Sequence, residues 1–294
     1  MNEDVLRQTE GRQQLTRGNR ADTGGFCQTQ PRGQLYGIAC AGEGIYGVGR
    51  GTRREGRGEF VRLALEDAGA DYVEVARRPR GMAAMSRFME SRSVKRPPFA
   101  PPFLKAGELI IAQTANILFF FGPRLGLAPK SDAGRLWAHQ LQLTIADWVA
   151  EVHDAHHPVA GSLYYEDQKR EAKRRAENFT AERLPKFLNY FERVLERNGS
   201  RALVGNAVSY VDLSLFQMIE GLRYAFPRAM TKQERKHWRV IALHDRVSAR
   251  PRLAAYLASE RRLLFNQEGI FRHYPELDDV ARGSEHLSND DTGK

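Results

Sequence analysis

Residues Pro101 to Gly122, PPFLKAGELIIAQTANILFFFG, set two short extended runs, a glycine turn and a helix start back to back, and this stretch constrains the fold most tightly. Pro101 to Leu104, the turn Lys105-Ala106-Gly107 and the run Glu108 to Ala112 read as a β-hairpin. The polar pair Gln113-Thr114 then interrupts the apolar sequence. Thr114, ahead of the periodic run Ala115 to Phe119, has the chemistry of a helix N-cap, so the order is strand, turn, strand, cap, helix. Such a helix start leaves backbone N–H donors and a positive dipole end facing outward, where a carboxylate can bind.

Composition narrows the class. No apolar run among the 294 residues approaches the ~20 that a membrane-spanning helix needs. The first residues, MNEDVLRQTEGRQQ, lack the charged and apolar regions of a secretory signal, so the expectation is a soluble cytoplasmic chain of one or two domains. Cys27 and Cys40 are too few and too far apart for a redox pair, a zinc site or a disulfide framework, and no metal is expected. The net charge of +9 permits attraction to nucleic acid. Its cations are interleaved with acids, as in Glu166-Asp167-Gln168-Lys169-Arg170-Glu171, which is the pattern of a solvated helix face, and nucleic-acid binding is the minority reading.

Residues 1–50, rich in Gly, Arg, Gln and Thr, are expected to be mostly disordered, with Leu35 to Ala39 and Ile45 to Val48 as glycine-diluted candidate strands. From Gly56 the text GRGEFVRLALEDAGADYVEVAR reads as a helix through Phe60, Val61, Ala64, Leu65 and Ala68, a stop at Gly69 and a strand through Tyr72, Val73 and Val75. Met82, Met85, Phe88 and Met89 mark a short amphipathic helix covering the sheet. PRLGLAPKS, starting at Pro123, is the clearest boundary, and everything after it is helical. Asp132 to His157 and Glu166 to Asn198 read as two long antiparallel helices that begin a bundle. Ser209, with Asp212 three positions on, is a capping box for a helix from Leu213 to Tyr224 that is apolar nearly all round and therefore central. His153, His156 and His157 read as a polar helix end before Pro158; two could share a face as metal ligands, but no further ligand is evident.

Taken together, the glycine-flanked helix start at Gly56-Arg57-Gly58, the proline pair, Gln113-Thr114 and the capping box resemble the cytosolic glutathione S-transferases over about residues 55–275. The resemblance implies a thioredoxin-like α/β domain followed by an all-α bundle. The corresponding division is an irregular segment 1–50, a glutathione-binding domain 51–124, a helical domain 130–272 and a tail 273–294. It implies that Gln113 and Thr114 hold the γ-glutamyl end of glutathione, that Pro102 follows a cis bond, and that Pro101 faces the ligand with only its carbonyl to offer. Arg57 would add a positive field. The family's first strand carries a hydroxyl that holds the thiolate; Tyr46 is the candidate here, with Tyr36 and Thr52 behind it. Gln140 or Gln142 would reach the γ-glutamyl amine of a neighbouring subunit. The implied activity is conjugation of glutathione, as co-substrate with no cofactor, to electrophilic small molecules by a homodimer in detoxification. The alternative is a catalytically impaired binding or scaffolding protein on the same fold.

Overall fold

The structure is a computed structural model that describes residues 56–278 in full and residues 36–39 as backbone. All of them fall in one compact unit. Its first half is a four-stranded sheet of order β2-β1-β3-β4, formed by β1 (Tyr36–Ala39), β2 (Tyr72–Glu74), β3 (Phe103–Ala106) and β4 (Leu109–Ala112). Strand β1 runs parallel to β2 in the register Tyr36 to Tyr72 and antiparallel to β3, with Ala39 opposite Phe103. The sheet therefore begins inside the stretch read as an irregular segment. Its glycine, Gly37, dilutes the local signal, but pairing on both sides supplies what the sequence lacks.

Helix α1 (Gly58–Ala68) buries Val61 and Leu65 against the sheet and Phe60, Leu63 and Ala64 against the helical half, then stops at Gly69 in the left-handed region. The hairpin turn falls at Gly107 (φ 59°), two residues later than read, because Lys105 and Ala106 still pair with β4. Helix α2 (Gly81–Glu90) lays Met85 on Phe103, and Phe88 stacks on the same ring at 5.3 Å. Helix α3 (Thr114–Arg124) buries Ile117, Leu118 and Phe121.

The remaining helices are α4 (Asp132–Asp154), α5 (Lys169–Asn178), α6 (Leu184–Arg197), α7 (Tyr210–Ala225), α8 (Pro227–Glu234), α9 (Trp238–Ser248) and α10 (Pro251–Leu257). The second long helix expected from the sequence is split. A π-helical turn, Phe179–Arg183, lies between α5 and α6. Pro185 has no N–H to give the preceding turn and crowds its carbonyl, and the wider turn accommodates it. Helix α7 is central as expected, and it starts at Tyr210. Trp148 of α4 stacks on Phe187 and Phe191 of α6 at 5.0 and 5.9 Å.

The chain beyond α10 returns across the bundle. Phe271 is fully buried against Gly221, where any β-carbon would meet the ring at 2.4 Å. Tyr274 stacks on Tyr165 at 3.8 Å, and the Asp278 carboxylate accepts the Arg228 and Ala229 amides at 2.6 and 3.1 Å, capping α8. The packed helical half thus extends beyond residue 272, where composition placed the start of a tail.

Candidate active site

Helix α3 begins where β4 ends, and the hinge is Gln113. It precedes the first helical residue with φ 70° and ψ 121°, a conformation rare for a residue with a side chain. The first helical bond runs from the Ile117 N–H to the Gln113 carbonyl at 2.9 Å, so the amides of Thr114, Ala115 and Asn116 precede the intrahelical ladder. Thr114 is the first residue of the helix, not its cap. Its hydroxyl donates to the Arg57 carbonyl at 3.4 Å, tying the start of α3 to the start of α1.

A cavity of about 280 Å³ opens beside this junction. Arg57 and Phe60 form one wall, Gln113 to Asn116 another, and α4 closes the third with His139, Gln142, Ile145 and Val149. Burial lowers the Arg57 guanidinium from its usual range while Asp154 opposes that shift. It remains a cation at any working pH. Two polar atoms on the α4 wall have no hydrogen-bond partner among the described residues. They are Oε1 of Gln142, which is 2% exposed, and Nδ1 of His139, whose ring lies 4.7 Å from Phe119. Burial favours the neutral form of His139. A buried amide without a partner is costly, so this wall is built to receive a ligand or water with complementary groups.

Of the residues nominated from the sequence, the fold brings Arg57, Gln113 and Thr114 together around one cavity. Pro101 and Pro102, joined by a cis bond, open β3 nearby but do not line the cavity. Gln140 is exposed, whereas Gln142 is buried and lines the cavity of its own chain. Tyr46 and Thr52 lie outside the described residues, as do Cys27 and Cys40, and of Tyr36 only the backbone is described. His139 was missed by sequence reading. The clue was its i, i+3 spacing with Gln142 on α4.

The histidines at the end of α4 are not a solvated helix end. His156 and His157 are 1% and 8% exposed, and the three rings of His153, His156 and His157 pack with centroids 4.8 to 5.2 Å apart. Nε2 of His156 donates to the Ile270 carbonyl at 2.8 Å, and Gln168 donates to Nδ1 of His157 at 3.2 Å. Burial and Arg272 keep His156 well below its usual pKa and lower His157 to about 4; burial, Arg57 and Arg272 lower His153. Among the described residues no cluster has the make-up of a metal site.

At Ser209 both arms of the capping box are present, with the Ser209 N–H donating to Asp212 Oδ2 at 2.7 Å. Asp212 is fully buried and also accepts the Leu203 amide at 2.7 Å, which anchors the loop before α7.

A mixed sheet of this order with a helix start at its hairpin, followed by a helical bundle, defines the two-domain fold of a thioredoxin-like domain joined to an all-α domain. Residues 153–260 match the family model "Glutathione S-transferase, C-terminal domain". A glutathione S-transferase of Plasmodium yoelii yoelii is 22% identical over 212 residues, 71% of this chain and 92% of that protein. Glutathione S-transferase P 1 of Xenopus laevis is 27% identical over 214 residues, 70% and 89% of the two chains. Prostaglandin synthase D of Nilaparvata lugens shares the fold, with a TM-score of 0.58 at 17% identity over 78% of this chain and all of that one. The helical half of the chain thus matches the C-terminal domain of the glutathione S-transferases, and the chain as a whole is similar to members of that family.

Proposed function

We propose that this protein is a glutathione transferase that binds the tripeptide at the start of α3 and conjugates its sulfur to electrophilic small molecules. The observation that carries the reading is the cavity in which the helix-start amides, the Arg57 cation and a Gln142 amide oxygen with no partner among the described residues converge. The γ-glutamyl carboxylate would sit on the amides of Thr114 and Ala115, where the helix dipole favours an anion. Arg57 would add positive potential that stabilises a thiolate against the thiol. The sulfur then attacks the electrophile, forming a carbon–sulfur bond, and a halide leaves when the acceptor is an aryl halide. Similarity to the family supports a cytoplasmic homodimer, and exposed Leu136 and Leu143 on α4 supply an apolar face for the second copy.

One observation favours the second reading, a glutathione-binding protein without turnover. Thr114 is the one hydroxyl residue among the cavity's described lining residues, and its O–H is directed to the Arg57 carbonyl. Retention on immobilised glutathione together with conjugation of an aryl halide separates the two. The transferase reading expects both, with turnover lost and retention kept in Tyr46→Phe. Retention without turnover in the native chain establishes the binding protein, and failure of both removes the glutathione site.

A further inference from the structure

Helix α5 carries five cations between Lys169 and Arg175, against the two carboxylates Glu171 and Glu177. The acids that precede them in the sequence are not on this helix. Glu166 and Asp167 fall in a 3-10 turn, Tyr165–Asp167, and the Asp167 carboxylate accepts the Tyr164 amide at 3.2 Å. Arg175 takes Glu151 at 3.6 Å, and the Lys169 ammonium stands 5.6 Å from the centre of the Tyr165 ring. Arg170, Lys173 and Arg174, spaced i, i+3 and i+4, share the outer face, and among the described residues none has an ion pair or a hydrogen bond. The loop that enters this helix ends in exposed apolar side chains: Val159 and Tyr164 are 61% and 68% exposed, and Leu163 37%. Gln168 fixes their backbone at the N-terminal end of α5. Its Oε1 accepts the Val159 amide at 3.0 Å, and its Nε2 donates to the Ala160 and Leu163 carbonyls at 3.2 and 3.1 Å.

We infer that α5 and the loop of residues 159–164 form a docking surface for a bilayer interface rich in anionic lipid. The cations of α5 complement the negative surface of such a leaflet. Val159, Leu163 and the amphipathic ring of Tyr164 suit the headgroup boundary, where an apolar body and a polar tip are both satisfied. Other occupants fit less of the surface. A nucleic acid pairs with the cations but leaves the aliphatic tip in water. A partner with a hydrophobic groove finds no apolar stripe to take, because the inner face of α5 offers only Ala172 and Ala176, both buried in this chain's own core. The contact inferred is peripheral; among the described residues no helix is long and apolar enough to cross a membrane. The inference does not depend on the transferase reading.

The test is co-sedimentation of the full chain with vesicles of phosphatidylcholine alone and of phosphatidylcholine mixed with phosphatidylserine. Binding to the mixed vesicles alone is expected, with release as the ionic strength rises. Arg170→Gln with Lys173→Gln and Arg174→Gln lowers the partition coefficient about a hundredfold without moving the thermal midpoint. Leu163→Ser with Tyr164→Ser lowers it about tenfold with every cation in place, whereas Tyr164→Trp keeps it. Equal binding to the two kinds of vesicle, unchanged binding of the triple variant, or indifference to the tip substitutions each overturns the surface. Displacement of the chain from the mixed vesicles by an equal charge of RNA, with RNA binding unaffected by the tip substitutions, assigns the face to nucleic acid and overturns it as well.

Discussion

Gln113 holds a φ of 70° that a glycine would adopt freely, and a side chain there costs on the order of 1 kcal/mol or more. A position selected for backbone fit alone would be glycine. Gln113→Gly is therefore expected to keep or raise the thermal midpoint while weakening retention on glutathione about tenfold; a lowered midpoint with retention intact would make the residue structural. The same logic holds for Gln142, whose buried Oε1 has no partner among the described residues. Gln142→Leu should gain about 1 kcal/mol of stability and lose glutathione affinity, as measured by calorimetry. The histidine cluster sets an acid limit. Folding depresses these pKa values below the unfolded value of about 6.5, so the unfolded chain binds more protons as pH falls. Their stability contribution is complete above about pH 6.5 and is lost as pH falls toward the His157 value of about 4, and unfolding midpoints across that range should drop less steeply in His157→Gln. The spacing of these histidines was legible in the sequence. Their burial was not, because the segment covering them arrives from Ile270, 114 positions away.

At the level of elements, local signals read well wherever the partner is near in sequence. The stop at Gly69, the hairpin and the Ser209–Asp212 box are settled within a few residues, and each stands where its text placed it, to within two positions. The box also has a longer reach, since Asp212 holds the Leu203 amide nine positions back. Ser209→Ala is expected to cost about 1 kcal/mol, whereas Asp212→Ala strands two buried amides and should cost about 2–5 kcal/mol in chemical denaturation. Equal losses would show that the loop anchor contributes nothing. Strand β1 lies within the candidate Leu35 to Ala39 but reads only weakly, because short, glycine-containing strands draw their stability from neighbours, here Tyr72 to Glu74 and Phe103 to Lys105.

Across the whole molecule, a buried charged cluster joins the sheet half to the helical half. Glu59 accepts from Arg62 at 2.7 Å, from the Tyr256 hydroxyl at 2.7 Å and from Arg262, while Arg62 reaches Glu74 at 2.8 Å and Arg262 reaches Gln217 at 2.9 Å. Burial alone would push the Glu59 carboxyl up, but Arg62 and Arg262 hold it below its usual range. Nothing in the sequence marks these residues, because a buried ion network uses the same letters as a wet surface. Outside it, Leu136 and Leu143 are 64% and 48% exposed. If a second copy covers them, sedimentation should give twice the chain mass, reduced to the single mass by Leu136→Arg; an unchanged dimer would place the interface elsewhere.

Anyone trimming this protein for crystallisation or fusion would cut where the sequence turns polar, after Arg272. The carboxylate of Asp278 makes that cut unsafe, because a shortened chain would leave α8 uncapped and strip Tyr274 from Tyr165. A safer end point lies beyond Asp278.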